Sequence, residues 1–408
     1  MLDFARRRAL VFVSWALVSI PVPAWADPVL DWSSTVDAAT AKLPGARGDR
    51  ARALAWLAAF NALNAIDPRY RAYEPSPPAV DGGGVAPAPT AALAAALFTA
   101  LAVEPEADQA LLLRNYRDTL ASVKAVPERD AGVALGSRAA LLLLTARAGD
   151  RLGRVESVLK EPAPGVYVKP GYAKTGASIT LVGLTPFGVR SVLAFDPGPP
   201  PATGSEAAAR DIAEVRALGA AQSTTRSADQ TAAALFWNSG DPADYAALVT
   251  PVLEARKLDA LDTARVLALD ALISVDTNIA IVTLKERYKH WRPETAIAGP
   301  FAALADREAG WQALVRVPNS PEYPSGGGSG AGTLEVVLPR LMGATGPLEW
   351  RNTQTQQTRH WPDAAALGNE FAAARVWAGV HFRSAVNAGR QVGRQVATEI
   401  LDRQLLTR

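Results

Sequence analysis

The chain has 408 residues, of which 49% are hydrophobic and 20% charged, enough for a sizeable core and unlike a disordered polymer. It contains no cysteine, which excludes disulfides, thiolate catalysis and Cys-based zinc or iron–sulfur centres. Lysine and arginine exceed aspartate and glutamate by 42 to 40, a balance that points away from nucleic acid and anionic membranes as partners.

The first 26 residues differ from the rest. Arg6, Arg7 and Arg8 precede an apolar run from Ala9 to Ile20, and Ala24-Trp25-Ala26 then offers an A-x-A cleavage pattern. This reads as a secretory signal peptide, too short in its apolar part to span a bilayer, with Arg7-Arg8 also fitting twin-arginine export. The expectation is an exported protein, periplasmic or secreted, whose mature form is not a membrane protein. Without residues 1–26 the chain keeps 39 basic and 39 acidic residues, close to neutral.

Helical periodicity then dominates. Trp56, Phe60 and Leu63 fall on one helix face that ends at Pro68, and Leu93, Leu97 and Leu101 mark a second that stops before Pro105. Further helices are expected near 108–124, 131–148, 206–219, 228–238, 242–256 and 259–286, and then 333–342, 363–380 and 384–405. Ser227 with Gln230 spells a capping box. Residues 74–90 and 196–205 read as Pro-rich loops, and "GVYV" and "ITLV" within 161–188 as a small ribbon. The fold class is therefore all-α: a large helical bundle with a few short strands in loops. Its halves run from 27 to 255 and from 256 to 408, the second carrying the site.

Three clusters near the C-terminus bear chemistry. They are Lys285 with Arg292-Pro293, "PEYPSGG" with Ser325, Gly326 and Gly327, and Arg375 with Gly379 and His381. Singly each has an ordinary reading: Lys285 complements a helix C-terminus, His381 is a buried core imidazole, and "SGGGSGAG" is a Gly/Ser linker on composition. Jointly they supply what a tetrahedral oxyanion needs without a divalent metal: fixed Arg and Lys donors, backbone N–H groups at a Ser-Gly turn, and one imidazole.

The order K-x6-RP, PSG, R-x3-G-x-H resembles the vanadium-dependent haloperoxidase and PAP2 acid phosphatase superfamily. "ALAWLAAFNALNAIDPRYRAY", "DIAEVRALGAAQSTTRSADQTAAALFW" and "WRPETAI" resemble its soluble, exported bacterial branch. The resemblance implies that Lys285, Arg292, Ser325, Gly326 and Arg375 hold vanadate or phosphate. His381 would be the vanadate ligand, or the nucleophile of a phosphatase. A haloperoxidase would use hydrogen peroxide and halide; the rival readings are an acid phosphatase acting through a phosphohistidine and a catalytically impaired oxyanion-binding homologue.

Three positions depart from the family pattern. Gly327 stands where the acid/base histidine of Pro-Ser-Gly-His is expected, Ala374 where a serine usually precedes the arginine, and Ala385 where many members carry an aspartate. Loss of general acid–base catalysis alone removes roughly 10²–10⁴-fold in rate. Binding is therefore expected to survive better than turnover. A histidine restored at 327 is expected to raise activity, and His381 is expected to lack its usual orienting carboxylate. The remaining histidines, His290 and His360, are expected at the surface. The Gly run is expected to begin as an anion cradle at Ser325-Gly326 and to turn linker-like after it.

Overall fold

The computed structural model describes residues 28–43, 46–150, 159–171, 182–238, 242–302 and 307–408. The signal-peptide segment and most of "ITLV" lie outside the described residues. Among those described, the first helices are α1 (Pro28–Thr40), α2 (Ala46–Ile66), α3 (Pro89–Ala102), α4 (Gln109–Ser122) and α5 (Val126–Ala146). There follow α6 (Glu206–Gly219), α7 (Ala228–Phe236), α8 (Pro242–Arg256), α9 (Ala260–Tyr288) and the short α10 (Pro293–Ile297). The last three are α11 (Gly326–Arg340), α12 (Ala364–Trp377) and α13 (Arg383–Arg403). The fold is all-α, as the periodicity predicts.

The apolar faces do what their spacing requires. Trp56, Phe60 and Leu63 of α2 and Leu93, Leu97 and Leu101 of α3 are buried in one continuous core. The Ser227–Gln230 capping box closes α7, with reciprocal bonds of 3.1 and 2.9 Å. Running through the core is α9, which packs against α2 and α13. By length and composition it could cross a bilayer, but protein covers most of it. Its buried Asp276 is tolerated because the carboxylate accepts the backbone N–H groups of Phe187, Gly188 and Val189 at 2.6, 2.6 and 2.9 Å.

Two features differ from the sequence reading. A hairpin, β1 (Leu348–Arg351) and β2 (Thr358–Trp361), pairs Leu348 with Trp361 and Glu349 with His360. Four residues per strand are too few for alternation to announce them. "GVYV" instead flanks the segment after α9: Val166 bridges His290, Tyr167 N–H donates to Lys289 O at 2.7 Å, and Trp291 N–H to Gly165 O at 3.1 Å. That clamp fixes the chain immediately before Arg292.

The glycine run is not a linker. Ser325 caps α11, which begins at Gly326, seven residues before the expected start at 333. The glycines are there for contact between helices. A Cβ on Gly328 or Gly332 would lie 2.5 or 2.0 Å from the carbonyl oxygens of Val386 and Arg390 on α13. One on Gly389 or Gly393 would lie 2.1 Å from those of Ser325 and Ser329. The two G-x3-G stripes let the backbones of α11 and α13 touch, closer than the usual 8–10 Å between axes requires of side chains. Composition alone cannot separate such a stripe from a flexible spacer.

Gly393→Val should therefore destabilise the bundle by about 1–3 kcal/mol or more, as overpacking does. Thermal melting followed by circular dichroism should show a clear drop in midpoint. Gly82→Ala, which has open space around it, should melt with the native protein. Equal melting of Gly393→Val and the native protein would contradict the packing described.

Candidate oxyanion site

Each of the three motifs sits at a helix terminus, and the bundle brings those termini together. Lys285 lies in the last turn of α9. Arg292 is the residue before α10, whose Pro293 occupies the first helical position, where a missing N–H costs nothing. Ser325 and Gly326 open α11. Arg375 occupies the last turn of α12. Gly379 then reverses the chain at φ +79°, where a Cβ would also strike Gly219 O at 2.4 Å, and His381 follows.

The loop 320–325 is held by the cations. Lys285 Nζ donates to the carbonyls of Pro321 and Glu322, the latter at 3.1 Å. Arg292 spreads its guanidinium over Ser320 O (2.9 Å), Ser320 Oγ (3.0 Å), Pro321 O (3.4 Å), Val380 O (2.7 Å) and His381 Nε2 (3.1 Å). It is 2% exposed, so its charge stays inside the protein. Ser325 Oγ accepts the N–H of Gly328 at 3.1 Å, and the remaining first-turn N–H groups of α11 have no acceptor within the helix.

His381 is gripped at both nitrogens. An arginine only donates, so Nε2 must accept from Arg292, and Nδ1 must carry the proton. Nδ1–H then donates to Glu322 Oε1 at 2.9 Å, an oxygen that also accepts the backbone N–H of Phe382 at 2.9 Å. Glu322 is fully buried, and its Oε2 has no hydrogen-bond partner. Burial drives its pKa up to about 8, opposed by Arg292, the Phe382 N–H and Lys285. A proton on Oε2 leaves Oε1 free to accept both bonds, so the histidine is fixed in either state of the carboxyl.

Glu322 is the functional residue that sequence reasoning missed. His381 does have an orienting carboxylate, supplied by the PSG loop and not by position 385, where Ala385 is buried. The residue stood in full view in "PEYPSGG", but only the fold reveals that it faces a histidine 59 positions away.

The electrostatics mark one cluster. Burial, then Arg292, Lys285 and Arg375, hold the His381 pKa well below the usual imidazole range. Burial and Arg292 do the same to Lys285, with Arg375 adding to it and Glu322 opposing. Burial and Arg292 push Arg375 down to about 10. Lys285, Arg292, Arg375 and His381 thus share one neighbourhood beside Ser325 and Gly326. The other histidines do not join it as replacements. His360 is exposed on β2 and pairs with Glu349 at 3.3 Å. His290, expected at the surface, is instead partly buried, its ring 6.0 Å from that of Phe382, and burial lowers its pKa to about 4.

The place of the absent imidazole is filled. A Cβ on Gly327 would lie 2.6 Å from both Cδ and Nε of Arg375. A histidine there requires the Arg375 side chain to shift, so the expected gain in activity depends on where the arginine then settles. Arg375 Nη1 donates to Asn238 Oδ1, just past α7, while Asn238 Nδ2 donates to Ala234 O at 2.7 Å. Arg375 Nε is buried without an acceptor. A buried donor left unmatched among three cations and a helix N-terminus suits a tetrahedral oxyanion, so these residues fit vanadate or phosphate.

A bundle with this cation-lined site at its helix ends belongs to a known architectural class. Residues 265–406 match the family model described as the VCPO second helical-bundle domain. The fold is similar to that of the first bacterial vanadium-dependent iodoperoxidase, with TM-score 0.79 and 20% identity over 94% of this chain and 97% of that one. It is also similar to a bacterial vanadium-dependent chloroperoxidase in holo form, with TM-score 0.69 and 16% identity over 93% and 96% of the chains. The apo form gives the same TM-score and identity over 90% and 94%. Comparison with curated proteins finds no match. The family model covers residues 265–406, and the likeness to the solved haloperoxidases is one of fold over nearly the whole chain.

The Glu322–His381 contact has a direct spectroscopic test. With three histidines in the chain, side-chain ¹⁵N spectra should show His381 as a single Nδ1–H tautomer. Glu322→Ala should shift the Nδ1 resonance while Arg292 still holds Nε2 unprotonated, and Glu322→Gln, which keeps an acceptor oxygen, should restore it. An Nδ1 resonance unchanged in Glu322→Ala would contradict the contact.

Proposed function

We propose that the protein is an exported, vanadium haloperoxidase-like protein that binds vanadate or phosphate among Lys285, Arg292, Ser325, Gly326, Arg375 and His381. The observation that carries this reading is the convergence of buried Lys285 and Arg292, half-buried Arg375 and the unprotonated His381 Nε2 near one helix N-terminus. Lys285 and Arg375 supply charge and donors to the anion. Arg292 supplies charge and holds His381. The first turn of α11 supplies backbone N–H groups and the positive end of the helix dipole. His381 Nε2, kept unprotonated by its bonds with Arg292 and Glu322, is the atom that would bind vanadium, its one lone pair then leaving Arg292 Nη1. Vanadate bound there would supply a Lewis-acidic centre able to activate hydrogen peroxide for oxidation of halide. Export rests on the pattern of residues 1–26.

A second reading has a specific observation in its favour. Gly327 carries no imidazole, and Arg375 lies across the space one would need. The chain then binds the anion and turns over poorly, because the cradle is intact while the group that moves protons is gone. On either reading binding comes first and chemistry second.

Calorimetric titration should detect vanadate and phosphate binding to the native protein. His381→Ala should weaken vanadate by at least about tenfold and phosphate much less, because only vanadium forms a bond to the imidazole. Bromination of a phenolic dye with vanadate, peroxide and bromide should be slower by roughly 10²–10⁴-fold than in a relative with an imidazole at this position. Failure to bind either anion would overturn the proposal. Binding with no turnover from acidic to neutral pH would leave the second reading alone standing.

A further inference from the structure

Resting on the oxyanion reading, one pair of residues goes beyond it. Gly327 and Arg375 come from separate helices and meet along the neck of the arginine. An added Cβ would meet Cδ and Nε at 2.6 Å and Cγ at 3.2 Å. These atoms lie midway along the side chain, so the contact is relieved only if the neck of the arginine shifts. At the tip, Nη1 is tied to Asn238 Oδ1. Asn238 is itself oriented by its bond to Ala234 O, which turns its oxygen and not its amide nitrogen toward the guanidinium. The side chain is therefore pinned at one end by an amide and admitted at the other by a glycine.

We infer that Gly327 is a positioning residue for anion binding that acts through Arg375: the glycine lets the arginine neck lie against the first turn of α11, where Nε–H points at an anion bound there. Among the described residues, Arg375 Nε–H and the first-turn N–H groups of α11 stand beside position 327 as donors. This wall of the site suits a tetrahedral anion of the phosphate class that turns its unprotonated oxygens to it. It serves poorly an anion that must gain or lose protons at that wall. The buried Nε, matched by no acceptor among the described residues, is the donor that such an anion would satisfy. The lowered pKa of Arg375 agrees with a guanidinium crowded by burial and by Arg292. Glycine at 327 is then a fitted part of the cradle and not a mere loss.

The test is a double-mutant cycle read by calorimetry with inorganic phosphate, using the full protein. Arg375→Ala should weaken phosphate by about 10- to 100-fold, the range for losing a charge-assisted bond. Gly327→Ala should weaken it by about tenfold or more, although it removes no donor. In the Arg375→Ala background Gly327→Ala should change affinity by less than about twofold, because the residue it displaces is absent. Equal losses from Gly327→Ala in both backgrounds, or no loss in either, would overturn the inference while leaving phosphate binding in place. A native protein that binds no phosphate would overturn the oxyanion reading and this inference together. Should Gly327→Ala melt too low for titration, Arg375→Lys keeps a charge but lacks the neck N–H. It should bind several-fold more weakly than the native protein, and equal affinity would overturn the role given to Nε.

Discussion

Everything at the site depends on the grip of Lys285 and Arg292 on the carbonyls of Ser320, Pro321 and Glu322. Buried cations are costly unless polar groups surround them. Here the polar groups are the backbone of the very loop that leads into α11. The grip sets where Ser325 caps the helix, and so where the first-turn N–H groups point. It also sets where the Glu322 carboxyl lies, and so the orientation of His381. Removing either cation would leave loop carbonyls unmatched and free the histidine along with them.

The close crossing of α11 and α13 performs a second task. Both His381 and Ser325 are within a few residues of the start of these helices, so backbone contact between the helices fixes the distance between the His381 imidazole and the first turn of α11. Side chains in that crossing would push the two apart. Glycine is costly within a helix, and a run of five between 326 and 332 would be a poor choice unless the approach required it. The same device recurs on α5, where a Cβ on Gly136 would meet Ala92 O of α3 at 2.1 Å.

Helices with strong periodicity were legible in the sequence. α6 and α8 match the expected 206–219 and 242–256, and the three motif segments do meet in space as their joint chemistry requires. What the sequence hid depends on partners distant along the chain. A glycine stripe reads as a linker until its opposing helix is known. Glu322 reads as one more acidic residue until His381 is beside it. Gly327 reads as a lost histidine until Arg375 is seen against it. Short strands such as β1 and β2 carry too little alternation to be recognised, and their burial comes from an aromatic cluster around Phe236, Trp237, Trp350 and Trp361 assembled from distant segments.

The central proposal is that His381 Nε2, whose lone pair accepts from Arg292 Nη1, would exchange that bond for one to vanadium within the cationic cradle. X-ray absorption at the vanadium edge of vanadate-loaded protein tests it most directly. The account predicts one imidazole nitrogen among otherwise oxygen ligands in the native protein, and its loss in His381→Ala. A spectrum from the native protein with oxygen ligands alone would contradict it.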